Sequence, residues 1–221
     1  MANNAGTVAI MQPYFFPYGG YFRLLTRSEI FVIYDCVQFP RRGWVHRNKL
    51  KDLSGAEQWL TLPLVKQERD VLIKDLVFPE DAPRELAERL RPFPLPSPDP
   101  EWRDEVLRRV LATGTDVVDY LEEMLQLVAV RLGRTAWNVC RSSSFNIPQT
   151  LRGQDRIIEI ARRTGAKRYL NAPGGVGLYD KEKFAESGLE LEFLPDYDGP
   201  FDSMLGRILA ENPDSLAQDI L

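Results

Sequence analysis

The chain opens its pattern with an apolar run, Thr7–Met11, that reads as a strand. Residues 19–27 follow with Tyr21, Phe22, Leu24 and Leu25 on or near one face of a helix. Residues 30–34, Ile-Phe-Val-Ile-Tyr, are apolar without a break, the pattern of a strand covered on both faces. Strand, short helix and buried strand make a βαβ unit, which implies a parallel sheet. Residues 58–62 and 71–77 also have strand character. From Pro92 to Pro100 every second residue is proline, which forbids helix and central strand and favours a stiff connection. Residues 101–112 and 115–132 then have helical spacing, the second with Val117, Val118, Leu121, Met124, Leu125 and Val128 on a stripe closed by Gly133. The last third returns to strands at 136–140, 167–171 and 189–194. These alternate with a helix at 155–164 and another that Asp180 opens as N-cap. The pattern predicts an α/β fold, a parallel-sheet Rossmann-like core with a helical middle layer or subdomain. The expected order is an N-terminal α/β part (residues 1–91), a proline-rich connection and helical layer (92–133), and a C-terminal α/β part of the same domain (134–221).

Charge narrows the function classes. With 28 Lys+Arg against 32 Asp+Glu the net charge is -4, so general nucleic-acid binding is not expected. The opening residues lack a basic n-region and an apolar h-region, and no run approaches a bilayer span. A soluble cytoplasmic protein is expected. The 2 cysteines, Cys36 and Cys140, and the 1 histidine, His46, make neither a disulfide scaffold nor a usual structural zinc site. No metal is expected, and any histidine chemistry passes through His46.

Three segments could carry chemistry. Residues 34–48 follow a presumed parallel strand, where α/β sheets place ligands. They hold a thiol (Cys36), the imidazole (His46), a carboxylate (Asp35), the amides Gln38 and Asn48, the guanidiniums Arg41, Arg42 and Arg47, and the indole of Trp44. A Cys–His pair can attack an acyl carbon, and nearby arginines lower a thiol pKa or hold an anion. The alternative is an inert strand-end cysteine and a surface histidine. The second segment runs from Gln12 through Tyr14 and Tyr18 to Tyr21. Its Tyr18-Gly-Gly-Tyr21 is placed like the His-x-Gly-His signature of adenylyl-transferring enzymes, with tyrosine for each histidine, or else it is an aromatic plug with a tight turn. The third, with Asn171, Gly174, Gly175 and Gly177, can expose backbone N–H groups to an anion or be a plain turn. It is neither a Walker A nor a GxGxxG loop.

Residues 8–22, Val-Ala-Ile-Met-Gln-Pro-Tyr-Phe-Phe-Pro-Tyr-Gly-Gly-Tyr-Phe, with Phe31 to Phe39, Trp44-Val-His-Arg-Asn48 and Trp59-Leu-Thr-Leu-Pro63, resemble the WbqC-like protein family. Leu151 to Arg156, Tyr169 to Gly175 and Leu178-Tyr-Asp180 extend the resemblance over nearly the whole chain. The resemblance implies a setting in bacterial polysaccharide and natural-product biosynthesis, beside amino-sugar enzymes, and acyl or aminoacyl transfer to an amine. It implies functional positions at Gln12, Tyr14, Tyr18, Asp35, Gln38, Arg41, Trp44, His46, Arg47, Asn48, Asn171 and Gly174, while at Cys36 many relatives carry other residues.

The leading expectation is a cysteine-dependent acyl or aminoacyl transferase without a cofactor. Cys36 takes the acyl group from a thioester donor such as an acyl carrier protein, His46 acts as base, and Asp35 orients the imidazole. Gln38, Asn48 or backbone N–H groups form the oxyanion hole, and the arginines hold a phosphate of a nucleotide-sugar or of a pantetheine arm. One alternative is a nucleotide-dependent ligase or nucleotidyltransferase using ATP or CTP with Mg²⁺ at the Tyr18–Tyr21 loop. Another is a non-catalytic binding protein.

Overall fold

A computed structural model describes residues 6–114 and 116–220. The opening polar residues 1–5 and Thr115, the first residue of an expected helix, lie outside the described residues. In chain order the elements are β1 (Thr7–Met11), α1 (Gly19–Arg27), β2 (Ile30–Ile33), β3 (Arg47–Lys51), β4 (Glu57–Thr61), α2 (Ala82–Leu90), α3 (Pro100–Leu111) and α4 (Val117–Arg131). They continue with β5 (Val139–Arg141), α5 (Gly153–Arg163), β6 (Arg168–Asn171), α6 (Lys181–Glu186), β7 (Glu190–Phe193), α7 (Met204–Ala210) and α8 (Pro213–Ile220).

These elements form two units that interleave in sequence. The first comprises Met1–Gln12, Gly20–Asp35 and Ala136–Asp198; the second comprises Pro13–Gly19, Cys36–Thr135 and Gly199–Leu221. The first is α/β and Rossmann-like. Its parallel sheet has the order β5-β2-β1-β6-β7, with Val8 opposite Ile30 on one side of β1 and opposite Tyr169 on the other. A central parallel strand is covered on both faces, which is why Val8, Ala9 and Ile10 are all buried. Ile157, Ile160 and Ala161 of α5 and Phe184 of α6 close over Val8, Val32, Tyr169 and Leu191. Asp180 caps α6 by accepting from the Glu182 N–H, as its position before the helix predicts.

The second unit holds the helices of the middle region and one antiparallel hairpin. Strand β3 pairs with β4, Asn48 opposite Leu60 and Lys49 opposite Trp59. Asp52 folds the hairpin turn by accepting from the Ser54 and Ala56 N–H groups, and Gly55 takes the left-handed φ of 83° that the turn needs. Helix α3 starts where its sequence dictates, with Asp99 accepting from the Trp102 N–H and Pro100 in the first turn. Asp116 caps α4 in the same way. Two expectations change. Residues 71–77 form no strand but a 3₁₀ turn, Ile73–Asp75, with lone bridges from Leu72 to Gln38 and from Val77 to Asp116. The strand expected at 136–140 is shorter and lies further along, as β5 at Val139–Arg141. Among the described residues no helix is long and apolar enough to cross a membrane.

Candidate functional site

The aromatic segment after β1 is held in an unusual backbone shape. Phe16 has a φ of 45°, a left-handed conformation that costs a bulky residue on the order of 1–3 kcal/mol and persists only where neighbours over-determine it. They do. The Phe16 carbonyl accepts from the Asn48 Nδ2 at 2.6 Å, the Ser203 Oγ at 3.1 Å and the Met204 N–H at 3.2 Å. Asn48 Nδ2 also donates to the Phe15 carbonyl at 3.0 Å, and the Phe15 N–H donates to the Trp44 carbonyl at 2.9 Å. The aromatic segment and the Trp44–Asn48 segment are thereby laced together, and the reversal at Phe16 turns Tyr14 and Tyr18 to a common side.

That side is a cavity of about 340 Å³ lined by Tyr14, Pro17, Tyr18, Trp44, Asn48 and Phe201. The volume is at the small end of ligand sites, and the lining is the apolar-with-few-polar-groups type that binds small molecules. Tyr18 stacks on Phe201 with centroids 4.9 Å apart, and Trp44 leans on Trp59 at 5.2 Å. Burial, with a smaller contribution from Tyr18, pushes the Tyr14 phenol above its ordinary value, so it is a protonated hydrogen-bond donor at neutral pH.

The remaining sequence candidates separate by role. Arg47 lies over the Trp59 ring at 4.1 Å and donates to the Gly43 and Arg42 carbonyls, so it braces its own loop. Arg42 is exposed. Gln38 donates from Nε2 to the Arg69 carbonyl. Tyr21 is 3% exposed and donates to the Gln12 carbonyl; it is a core residue of the first unit rather than a pocket wall. Asn48 cannot serve an oxyanion hole, because both Nδ2 protons are bonded to backbone carbonyls and its Oδ1 accepts from the Lys49 N–H. Asn171 is buried and accepts from the Ala172 N–H. A Cβ on Gly175 would come within 2.3 Å of the Asn171 Nδ2, so close packing requires glycine there, whereas Gly174 faces open space. Gly177 borders a shallow surface depression with Arg152, Asp155 and Lys183.

The expected triad is not assembled. Asp35 is 1% exposed, and its carboxylate accepts from the Ser142 Oγ at 2.8 Å, the Ser143 N–H at 2.8 Å and the Ser143 Oγ at 2.5 Å. It fastens the end of β2 to the turn after β5 instead of orienting an imidazole. Asp35→Ala should lower stability by about 2 kcal/mol, the scale of charge-assisted buried hydrogen bonds, read as a shifted urea midpoint; an unchanged midpoint contradicts this role.

His46 packs edge-on against Phe39 at 4.9 Å, and its Nδ1 is buried without a hydrogen-bond partner among the described residues. Burial first, then the charges of Arg47 and Arg89, depress its pKa to about 4. A base that weak does not ionise a thiol at neutral pH, and Cys36 is 8% exposed and lines neither the aromatic cavity nor the groove that His46 borders. The imidazole should titrate near pH 4 in an NMR titration, which is unambiguous because the chain has 1 histidine. The unfolded chain takes up that proton near the ordinary pH 6.5, so this group's contribution to stability falls as pH drops from 6.5 to about 4. A midpoint at 6.5 or above contradicts the buried setting.

Phe201 and Ser203 were missed because they lie far along the chain in a segment without periodicity; an aromatic after Gly199-Pro200 in a polar stretch is the one signal. Among the described residues no cluster of three His, Cys, Asp or Glu side chains is arranged to hold a metal ion.

The model of the WbqC-like protein family matches residues 12–202, which takes in both cavity segments and Phe201. The chain belongs to the WbqC-like family. The WbqC-like chain is also similar to the uncharacterized protein Rv1507c of Mycobacterium tuberculosis, 24% identical over 209 residues, covering 87% of this chain and 83% of the relative. No solved structure matches the WbqC-like chain significantly.

Proposed function

We propose that this protein is a transferase that moves an acyl or aminoacyl group from a thioester donor onto the amine of a ring-bearing small molecule, an amino sugar or related natural-product acceptor. The observation that carries the reading is the aromatic cavity. The faces of Tyr18, Trp44 and Phe201 suit the apolar face of a sugar ring, and the Tyr14 phenol supplies a hydrogen-bond donor to the same cavity. The amine nitrogen attacks the thioester carbonyl, Tyr14 donates a hydrogen bond to the oxyanion that develops, and the carbon–sulfur bond breaks. The amide forms, and the released thiolate takes up the proton that the amine loses. The donor fits an acyl carrier protein, and the reaction as written uses no cofactor. Direct attack replaces the covalent cysteine step, since Cys36 is 8% exposed and outside the cavity lining.

The test incubates the protein with an acyl-carrier thioester and a nucleotide-linked amino sugar, and follows the acylated amine by mass spectrometry. The expected result is amide product from the wild type and from Cys36→Ala, with no acyl adduct on Cys36. Product lost in Cys36→Ala together with an adduct on the wild type restores the covalent route, and no product in either contradicts acyl transfer.

A nucleotide-dependent ligase or nucleotidyltransferase is favoured by one observation. The sheet order reverses between β1 and β6, the place where such sheets bind nucleotides, and Gly19-Gly20 opens α1 directly after the β1 loop. Calorimetric binding of ATP or CTP with Mg²⁺, abolished by Tyr18→Ala, would move the reading to this class.

A further inference from the structure

A second concavity of the same unit has the opposite chemistry. It measures about 290 Å³ and is bordered by Phe39, Arg41, His46, Thr61, Lys66 and Arg89 among others, with no acidic side chain in its lining. Three cations border it in a chain whose net charge is -4, and of these Arg89 also pairs through Nη2 with the Glu85 carboxylate at 3.4 Å. The guanidiniums are anchored. Arg89 Nη1 donates to the Thr61 carbonyl at 2.8 Å, and Arg41 Nη2 donates to the Gln67 and Glu68 carbonyls at 2.6 and 2.7 Å. Arg41 keeps Nε and Nη1 without a hydrogen bond among the described residues. The His46 Nδ1 at the same groove is a buried polar atom without a hydrogen-bond partner among the described residues. Arg42 and Arg47, chemically equal candidates in sequence, do not border it.

We propose that this groove is a phosphate site that seats a phosphoester anion through Arg41, Lys66 and Arg89 beside His46. Guanidinium forks and an ammonium match phosphate oxygens, and the anchored guanidiniums lose little freedom on binding. The proposal rests on the transferase reading only in naming the source: the phosphate of the donor's pantetheine arm or of the acceptor's nucleotide.

The probe is inorganic phosphate, titrated at constant ionic strength into the intact chain while the ring signals of His46 are followed by NMR. A saturable shift is expected, and Arg41→Gln and Arg89→Gln should each weaken it about tenfold, the scale of one hydrogen bond to a charged group. Backbone spectra check that both variants fold, and either variant suffices for the comparison. Tighter binding of 4′-phosphopantetheine than of phosphate assigns the site to the donor; tighter binding of UDP assigns it to the acceptor. No saturable shift, or a shift equal in the wild type and both variants, overturns the site. The titration needs no transfer, so its failure leaves the acyl-transfer assay to decide the reaction by itself.

Discussion

Asn48→Ala is expected to cost the second unit about 3 kcal/mol of folding stability, from three lost hydrogen bonds and the backbone groups left behind. Asn48 is 6% exposed, and its one amide group bonds the carbonyls of Phe15 and Phe16 at 3.0 and 2.6 Å. The second of these carbonyls belongs to the residue at φ 45°, so the substitution removes a restraint from backbone that is already unfavourable. Ser203 and Met204 still donate to the Phe16 carbonyl, which keeps the loss from being total. Urea denaturation of the wild type and variant, followed by tryptophan fluorescence, measures the difference. A loss under about 1 kcal/mol, the scale of a single hydrogen bond, contradicts the role given to Asn48. The cavity should suffer with the fold, since the same amide ties the segment carrying Tyr14 and Tyr18 to the one carrying Trp44.

Tyr14→Phe should lower kcat by about 100-fold, the effect of removing one oxyanion donor, while KM for the amine changes little. The ring stays to line the cavity; only the phenolic proton is lost. Because burial holds the phenol above its ordinary value, Tyr14 should remain a donor across the neutral and mildly alkaline range and impose no fall in rate below pH 10. Steady-state kinetics at saturating thioester measures it. Wild-type kcat in Tyr14→Phe removes the phenol from the mechanism, and a rise in KM alone would make it a binding group.

Strands β1 and β2 were legible because they are covered on both faces and therefore read as unbroken apolar runs. Thr7–Met11 and the run at Ile30 could hardly be anything else in so short a chain segment. Strand β3 was illegible for the converse reason. Arg-Asn-Lys-Leu-Lys has no apolar run; it is a strand because Asn48 and Leu50 turn inward while its backbone pairs with β4. Helix α2 had a readable signal in Ala82, Leu86 and Leu90 at four-residue spacing with Pro83 in the first turn. The site was half legible. That the segment after β2 could carry a ligand site followed from its place at a strand end. Which way each side chain faces did not, because direction within a loop depends on tertiary hydrogen bonds such as those of Asn48. The three arginines of one loop thus part company: Arg41 joins the basic groove, Arg42 is exposed, and Arg47 braces Trp59. Cys36 and His46, carried by one segment, line no common cavity for the same reason, and Asp35 is taken by serines that lie more than a hundred residues away along the chain.

The central claim, that the aromatic cavity holds the ring of the amine acceptor, is tested most directly by calorimetry with a nucleotide-linked amino sugar on the wild type, Trp44→Ala and Cys36→Ala. Trp44 is 42% exposed, so its removal should leave the fold in place while taking away a wall of the cavity. The account predicts binding weakened about tenfold or more in Trp44→Ala, as for a central aromatic contact, and unchanged in Cys36→Ala. Equal affinity of Trp44→Ala and the wild type would contradict it.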